Sequence, residues 1–164
     1  MVELKKPEIE FSLEEKDAKL RSLIAGYGAV IVAYSGGVDS TFLAGVAHEV
    51  LGENALAVTS RSPSVAPEEL YSATALAYGR GWRHLIVDTD EMSGPWYLAN
   101  AGGRCFFCKT GLYTHLDKVA GDESIGLVAN GANTDDLGDY RPGMEAAKNF
   151  EVVSPLVEVR MNKQ

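Results

Sequence analysis

Residues 35–40 (SGGVDS) combine the residue types that bind a multiply charged anion. Gly36 and Gly37 can adopt positive φ angles and carry no Cβ, so successive backbone N–H groups can point into one concavity. The serine hydroxyls at both ends of the segment are further donors. A helix beginning near Asp39 would present its unpaired N–H groups to the same space. The segment therefore predicts an anion site.

Asp39 does not suit such a site unless a cation is present. A carboxylate would repel phosphate, and Mg²⁺ bridging Asp39 to phosphate oxygens is the simplest solution. The segment contains no lysine, and it matches neither the Walker pattern G-x-x-x-x-G-K-[ST] nor the dinucleotide pattern G-x-G-x-x-G. The alternative is a tight strand-to-helix turn in which Asp39 only caps the helix.

The elements that would position this segment predict an α/β protein. Short apolar runs rich in β-branched residues alternate with amphipathic stretches, which is typical of a parallel sheet. The predicted strands are residues 29–34, 55–59, 84–90, 125–129 and 152–153, and the predicted helices are residues 13–25, 39–51, 67–78 and 104–119. We expect a Rossmann-like, five-stranded parallel sheet with helices on both faces. Such sheets bind ligands at the carboxyl ends of their strands, where SGGVDS lies.

Length and composition indicate one domain without a membrane span. The chain has 164 residues, 46% of them hydrophobic and 23% charged, and it contains no apolar run of eighteen residues. The charged N-terminal segment is unlike a secretory signal, and the two cysteines are too few for a disulfide scaffold, so a cytoplasmic location is expected. A formal net charge of −8 argues against nucleic acid as a partner.

Three segments together resemble one known family. SGGVDS is the signature of the PP-loop, or N-type, ATP pyrophosphatases. Residues 100–113 (NAGGRCFFCKTGLY) and residues 130–159, which contain DYRPG and SPL, resemble the LarE-type ATP-dependent sacrificial sulfur transferases. The resemblance extends along most of the chain from about Leu20 onward. It implies the adenine nucleotide alpha hydrolase-like variety of the Rossmann-like sheet.

The resemblance also implies an activity. Members of the family bind ATP with Mg²⁺, transfer AMP to a carboxylate of a pyridinium mononucleotide and release pyrophosphate. Sulfur delivered to the activated carbonyl then gives a thiocarboxylate on the route to the nickel-pincer cofactor. On this basis residues 1–28 are a lead-in helix and residues 29–160 the PP-loop domain. The family's C-terminal substrate domain has no counterpart in these 164 residues, and self-association is expected.

The implied site residues lie mainly at the carboxyl ends of the strands. Those assigned to the pyrophosphate clamp are Ser35, Gly36, Gly37, Val38, Asp39 and Ser40; of these, Asp39 would hold Mg²⁺, and Asp39 and Ser40 would take part in catalysis. Those assigned to nucleotide and metal after the fourth strand are Gly131, Asn133 and Asp135. Thr59 and Ser60 end the second strand, where related folds bind adenosine; a capped strand end is the alternative.

The remaining implied residues are basic or thiol side chains. Arg104 and Lys109 could neutralise phosphate charge during catalysis. Arg141 could hold an anionic substrate group, since guanidinium suits phosphate and carboxylate, or it could pair with a nearby aspartate. Cys105 and Cys108, spaced i,i+3, are buried apolar fillers, a redox pair, or ligands of zinc or of an iron–sulfur cluster. A [4Fe-4S] cluster would need a further ligand from outside this chain.

Two other functions stay open beside sulfur transfer to a mononucleotide. One is a tRNA-thiolating PP-loop enzyme, which would also use paired cysteines. The other is a non-catalytic nucleotide-binding module, which would bind ATP or AMP without releasing pyrophosphate. The three histidines, His48, His84 and His115, are interpreted as ordinary core or surface residues.

Overall fold

The computed structural model describes residues 10–61, 65–88, 115–133 and 152–161. Within these residues a four-stranded parallel sheet has the strand order β3-β2-β1-β4. The strands are β1 (Val30–Ala33), β2 (Ala55–Arg61), β3 (His84–Asp88) and β4 (Val128–Ala129). The helices are α1 (Leu13–Tyr27), α2 (Val38–Leu51), α3 (Pro67–Gly79), α4 (residues 115–123) and α5 (Pro155–Glu158), and a 3₁₀ turn at Gly52–Asn54 follows α2.

The prediction of a fifth strand at residues 152–153 is wrong. Val153 forms only an isolated parallel bridge with Ala129, with hydrogen bonds of 3.0 Å from Val153 N–H to the Val128 carbonyl and from Asn130 N–H to the Val153 carbonyl. Two residues later Pro155 begins α5. Because proline has no N–H and favours the first turn of a helix, the ladder cannot continue along this segment.

Helices cover both faces of the sheet, as predicted. On one face, alternate residues of β1 and β2 pack against α1, α2, α3 and α5. On the other face, Ile31, Leu56 and Val58 pack against Leu116 and Val119 of α4. The alternation of these residues along β1 and β2 reflects the two-residue repeat of a strand buried on both sides.

Most element boundaries follow local signals in the sequence. Ser12 and Glu15 form a capping box at the start of α1: Ser12 Oγ accepts from Glu15 N–H at 3.2 Å, and Ser12 N–H donates to Glu15 Oε2 at 2.8 Å. Gly28, with φ +73°, ends the helix. The predicted helix at residues 104–119 is confirmed over its described part. No helix among the described residues is long and apolar enough to cross a membrane.

Candidate functional site

The SGGVDS segment connects β1 to α2 at the carboxyl edge of the sheet. Gly36 has φ +87°, and Gly37 is the N-cap residue of α2. Because the N-cap position is occupied by Gly37, Asp39 lies inside the first turn of α2 and is not the N-cap residue. The interpretation of Asp39 as a simple helix cap is therefore wrong. The strand, turn and helix stand in the order that an anion site at a helix N-terminus needs.

The two serines organise the turn through their hydroxyl groups. Ser35 N–H donates to Ser40 Oγ at 3.2 Å, and the two Oγ atoms lie 3.1 Å apart. Gly37 N–H donates to Ser35 Oγ at 3.3 Å. Ser40 is only 7% exposed, whereas Ser35 and both glycines are exposed. Within the turn, Ser40 is therefore buried, whereas Ser35 and the two glycines are accessible to solvent.

Two glycines allow close approaches around this turn. A Cβ on Gly36 would lie 3.0 Å from Ala73 Cβ on α3. A Cβ on Gly131, which follows β4, would lie 2.7 Å from the backbone nitrogen of Ser40. Real Cβ atoms essentially never come so close to another heavy atom, so the loop after β4 can contact the first turn of α2 only through glycine. The structure thus brings Gly131 together with the SGGVDS segment, and a role of Gly131 at a nucleotide site stays a prediction.

The loop after β4 is held by buried amide side chains. Asn130 Oδ1 accepts from Ala132 N–H at 3.2 Å and from Ser154 Oγ at 2.8 Å. Asn133 is 1% exposed. Gly131 lies between these two asparagines, so its contact with α2 is set by a fixed loop. A direct contact between Asn133 and nucleotide stays a prediction.

The hydroxyl group of Thr59 forms its hydrogen bonds to other groups of the protein. The residue is 3% exposed, and its Oγ1 donates to the carbonyl oxygen of Tyr34 at 2.7 Å. The same Oγ1 lies 2.7 Å from Nε2 of His84. β2 continues to Arg61, so Thr59 lies inside the strand and the alternative interpretation, a capped strand end, is wrong. Contact of Thr59 or Ser60 with adenosine stays a prediction.

Tyr34 and His84 are parts of this region that the sequence interpretation did not single out. Tyr34 is 1% exposed, and its hydroxyl donates to the Ala73 carbonyl at 3.0 Å. Its ring meets those of His84 and Trp82 edge-on, with centroid distances of 5.6 and 5.7 Å. Burial raises the pKa of Tyr34 and lowers the pKa of His84. The alternation in β1 could have indicated a buried Tyr34, whereas His84 meets its partner through strand pairing.

An exposed ion pair joins the ends of β2 and β3 beside the turn. Arg61 Nε and Nη2 donate to the two carboxylate oxygens of Asp88 at 2.6 and 2.9 Å. The hydrogen bonds from Arg61 lower the pKa of Asp88.

A separate cleft of about 270 Å³ is lined partly by His48 and Trp82. It lies near the amino ends of β2 and β3, away from the SGGVDS segment.

The other predicted site residues lie outside the described part of the chain. They are Arg104, Cys105, Cys108, Lys109, Asp135 and Arg141. Their assignments to phosphate, substrate, zinc or an iron–sulfur cluster stay predictions.

Comparison with solved structures defines the class of fold. The structure is similar to the NH3-dependent NAD synthetase of Campylobacter jejuni, with a TM-score of 0.65 and 15% identity over 91% of this chain and 78% of that one. It is similar to the NMN synthetase of Francisella tularensis at the same TM-score and identity, over 88% of this chain and 73% of that one. The chain is therefore an α/β protein with the fold of these synthetases.

Sequence comparison finds relatives of higher sequence identity than these structures, although no protein-family model matches the chain. The chain is 32% identical over 148 residues to the pyridinium-3,5-bisthiocarboxylic acid mononucleotide synthase of Lactiplantibacillus plantarum, a LarE protein; the match covers 90% of this chain and 54% of that protein. It is 47% identical over 151 residues to the uncharacterized protein slr1717 of Synechocystis sp., with coverages of 92% and 56%. The chain spans about half the length of the curated relatives it matches. The resemblance to the LarE-type family is confirmed.

Proposed function

We propose that this chain is the ATP-binding part of a LarE-type sulfur transferase and that the SGGVDS segment binds the pyrophosphate group of ATP. The observation that carries this proposal is the close packing of the loop after β4 on the first turn of α2, at Gly131 and Ser40, in a chain 32% identical to a mononucleotide synthase. That contact brings the loop after β4 against the positive end of a 14-residue helix.

Binding would use groups already arranged in the turn. The first N–H groups of α2 have no carbonyl partner within the helix, and Gly36 adopts a positive φ in the turn that precedes them. Ser35 and Ser40 hydrogen-bond to each other, so a phosphate would exchange that neutral contact for hydrogen bonds to a charged acceptor. Such charge-assisted hydrogen bonds are roughly twice as strong as neutral ones.

Asp39 suits a magnesium ion that arrives with the nucleotide. The residue lies in the first turn of α2 and is partly exposed. No group of three or more His, Cys, Asp or Glu residues that could hold a metal occurs within the described ranges. Mg²⁺ usually takes one or two carboxylates and completes its shell with phosphate oxygens and water, which fits a single aspartate. When bound, the ion would offset the negative charge that develops on the leaving pyrophosphate.

The reaction we propose is adenylation of a carboxylate on a pyridinium mononucleotide. A carboxylate oxygen attacks the α-phosphorus of ATP, the bond from that phosphorus to the β-phosphate oxygen breaks, and pyrophosphate leaves. Hydrosulfide, as the sulfur donor, then attacks the activated carbonyl: the C–S bond forms, the bond from the carbonyl carbon to the AMP oxygen breaks, AMP leaves, and loss of the sulfur-bound proton gives the thiocarboxylate. In this scheme Ser40 orients the pyrophosphate, Arg104 and Lys109 neutralise its charge, and Arg141 binds an anionic group of the substrate.

Calorimetry with Mg-ATP tests the nucleotide site. The wild-type chain should bind Mg-ATP, and Asp39→Ala should weaken binding in the presence of Mg²⁺ much more than in its absence. Asp117→Ala, which removes an exposed carboxylate on α4, is the matched control and should bind as the wild type does. Equal binding by wild type and Asp39→Ala would contradict the assignment of Asp39.

A second assay separates catalysis from binding alone. With Mg-ATP and the pyridinium carboxylate mononucleotide, pyrophosphate should be released in proportion to the acceptor supplied. Binding of ATP without pyrophosphate release would support the non-catalytic nucleotide-binding module instead. Assay of iron, zinc and sulfide in anaerobically purified protein, compared with a Cys105→Ser, Cys108→Ser double variant, tests whether the cysteines hold a metal.

A further inference from the structure

A continuous path of hydrogen bonds crosses three strands directly beneath the SGGVDS segment. It begins at His84 on β3, passes through the Thr59 hydroxyl on β2 and ends at the Tyr34 carbonyl, one residue after β1. Both contacts measure 2.7 Å. Thr59 and Tyr34 are almost completely buried, so neither group can exchange its partner for bulk water.

The path ends on the peptide group that opens the turn. The carbonyl of Tyr34 and the N–H of Ser35 belong to one planar unit. Thr59 binds its oxygen, and Ser40 Oγ accepts from its N–H at 3.2 Å. The plane of this peptide is thus fixed from both sides, by β2 below and by α2 above. Any rotation of the plane would move the Ser35 and Ser40 hydroxyls relative to each other.

Hydrogen-bond counting assigns the direction of each bond. The Tyr34 carbonyl can only accept, so the single proton of the Thr59 hydroxyl is directed toward it. Thr59 Oγ1 therefore accepts from His84, and Nε2 of His84 must carry a proton. An imidazole that donates in this way orients the threonine hydroxyl toward Tyr34.

We propose that His84 is a positioning residue for pyrophosphate binding. It acts through Thr59 on the Tyr34–Ser35 peptide, and so fixes the turn in the geometry that receives the phosphate groups. The proposal rests on the proposed function of the SGGVDS segment and adds a residue on β3, which is separated from β1 by β2 and does not touch the ligand. The proposal predicts that substitutions of His84 weaken the binding of pyrophosphate and Mg-ATP more than the binding of AMP.

Paired substitutions at His84 test this selectivity. His84→Leu removes the donor, while His84→Gln keeps an amide N–H near the position of Nε2. Loss of a buried hydrogen bond should weaken binding of inorganic pyrophosphate and of Mg-ATP by about tenfold in His84→Leu, and His84→Gln should recover most of it. Affinity for AMP should change by less than about twofold in both variants, because AMP does not fill the turn.

A purely structural role would give another pattern. If His84→Leu lowers the melting temperature but leaves pyrophosphate affinity unchanged, or weakens AMP and pyrophosphate equally, His84 does not position the turn. If His84→Gln loses as much pyrophosphate affinity as His84→Leu, the hydrogen bond from His84 to Thr59 is not the cause of the loss.

Backbone NMR separates failure of this inference from failure of the proposed function. If the wild-type chain binds neither pyrophosphate nor Mg-ATP, the proposed function fails, yet the amide resonances of Ser35, Gly36 and Gly37 still report the geometry of the turn. They should shift in Thr59→Val, which lacks the hydroxyl, and return in Thr59→Ser, which keeps it. Unchanged resonances in Thr59→Val would overturn the inference.

Discussion

At the scale of single residues, Gly131 shows how a position far along the chain shapes the SGGVDS segment. Its Cα lies so close to the first turn of α2 that an added Cβ would meet three backbone atoms, at 2.7 Å, 2.9 Å and 3.0 Å. Backbone atoms of a helix cannot move aside as a flexible side chain can. The contact therefore constrains the residue type more strictly than a loop position normally would.

We expect Gly131→Ala to destabilise the protein and to weaken Mg-ATP binding together. Overpacking of this kind costs typically about 1–3 kcal/mol, and the strain would fall on the backbone of Ser40. Urea denaturation and calorimetry measure the two effects. Gly126→Ala is the matched control because a Cβ there meets nothing within 4 Å. A Gly131→Ala protein as stable as this control would contradict the close approach.

The sequence predicted the glycine turn but not the reason for Gly131. The type and order of Ser35, Gly36, Gly37 and Ser40 are local, so their chemistry can be inferred without a fold. Gly131 contacts Ser40 across a separation of ninety-one positions in the sequence, and only the pairing of β1 with β4 brings them together. The same holds for the contact between His84 and Thr59, which depends on the register of β2 and β3.

At the scale of elements, the start of α1 is stabilised by its capping box. Ser12→Ala removes the acceptor for Glu15 N–H and should lower the free energy of unfolding by about 1 kcal/mol. Ser72→Ala, at an exposed position inside α3, should instead be neutral or slightly stabilising, since alanine has the higher helix propensity. Urea denaturation of both variants gives the comparison, and equal effects would mean that the cap contributes nothing.

The contact between α2 and the start of β3 should make stability depend on pH. His48 stacks on Trp82 with a centroid distance of 5.2 Å, and its Nδ1 lies 2.7 Å from the Ala44 carbonyl. Burial lowers the pKa of His48; nearby carbonyl groups oppose this shift, and the charge of Arg83 adds to it. The folded state then binds fewer protons than the unfolded state at mildly acidic pH.

Stability should accordingly be complete above the unfolded histidine pKa of about 6.5 and fall as the pH decreases from there through the lowered folded pKa. His84, whose pKa burial also lowers, adds to the same trend. His48→Phe keeps an aromatic ring against Trp82 and removes one titrating group, so its denaturation midpoint should vary less between pH 7.5 and 5.5, as measured by urea denaturation. An unchanged pH dependence in His48→Phe would contradict this origin.

The sequence predicted the elements well where the local signal is strong. Apolar runs rich in β-branched residues predicted β1, β2 and β3, and amphipathic stretches predicted α1 and α3. The fifth strand failed because residues 152–153 have strand propensity but too little length before Pro155. Propensity alone cannot tell a two-residue bridge from a strand, since the difference depends on the residues that come next in the chain.

At the scale of the whole molecule, the charge balance leads us to expect a small nucleotide and not a tRNA as the partner. The chain has 15 Lys and Arg residues against 23 Asp and Glu residues. Several arginines in the described ranges are also paired with carboxylates: Arg21 with Asp17 and Glu49, Arg61 with Asp88, and Arg83 with Glu123. These pairs reduce the local positive potential that a phosphate backbone would need.

We therefore expect no shift of tRNA in native gels at low salt, at protein concentrations that saturate with Mg-ATP. Binding of a nucleic acid backbone draws most of its affinity from release of counterions by Lys and Arg clusters, so it should be strongest under these conditions. Arg21→Ala and Arg83→Ala serve as controls. Because both arginines are paired with carboxylates, neither substitution should change the mobility of tRNA in the gel. A tRNA complex that weakens steeply as salt rises would instead support the tRNA-thiolating alternative. Such salt dependence would mean that the protein has a local cluster of Lys and Arg residues on its surface despite its net charge of −8.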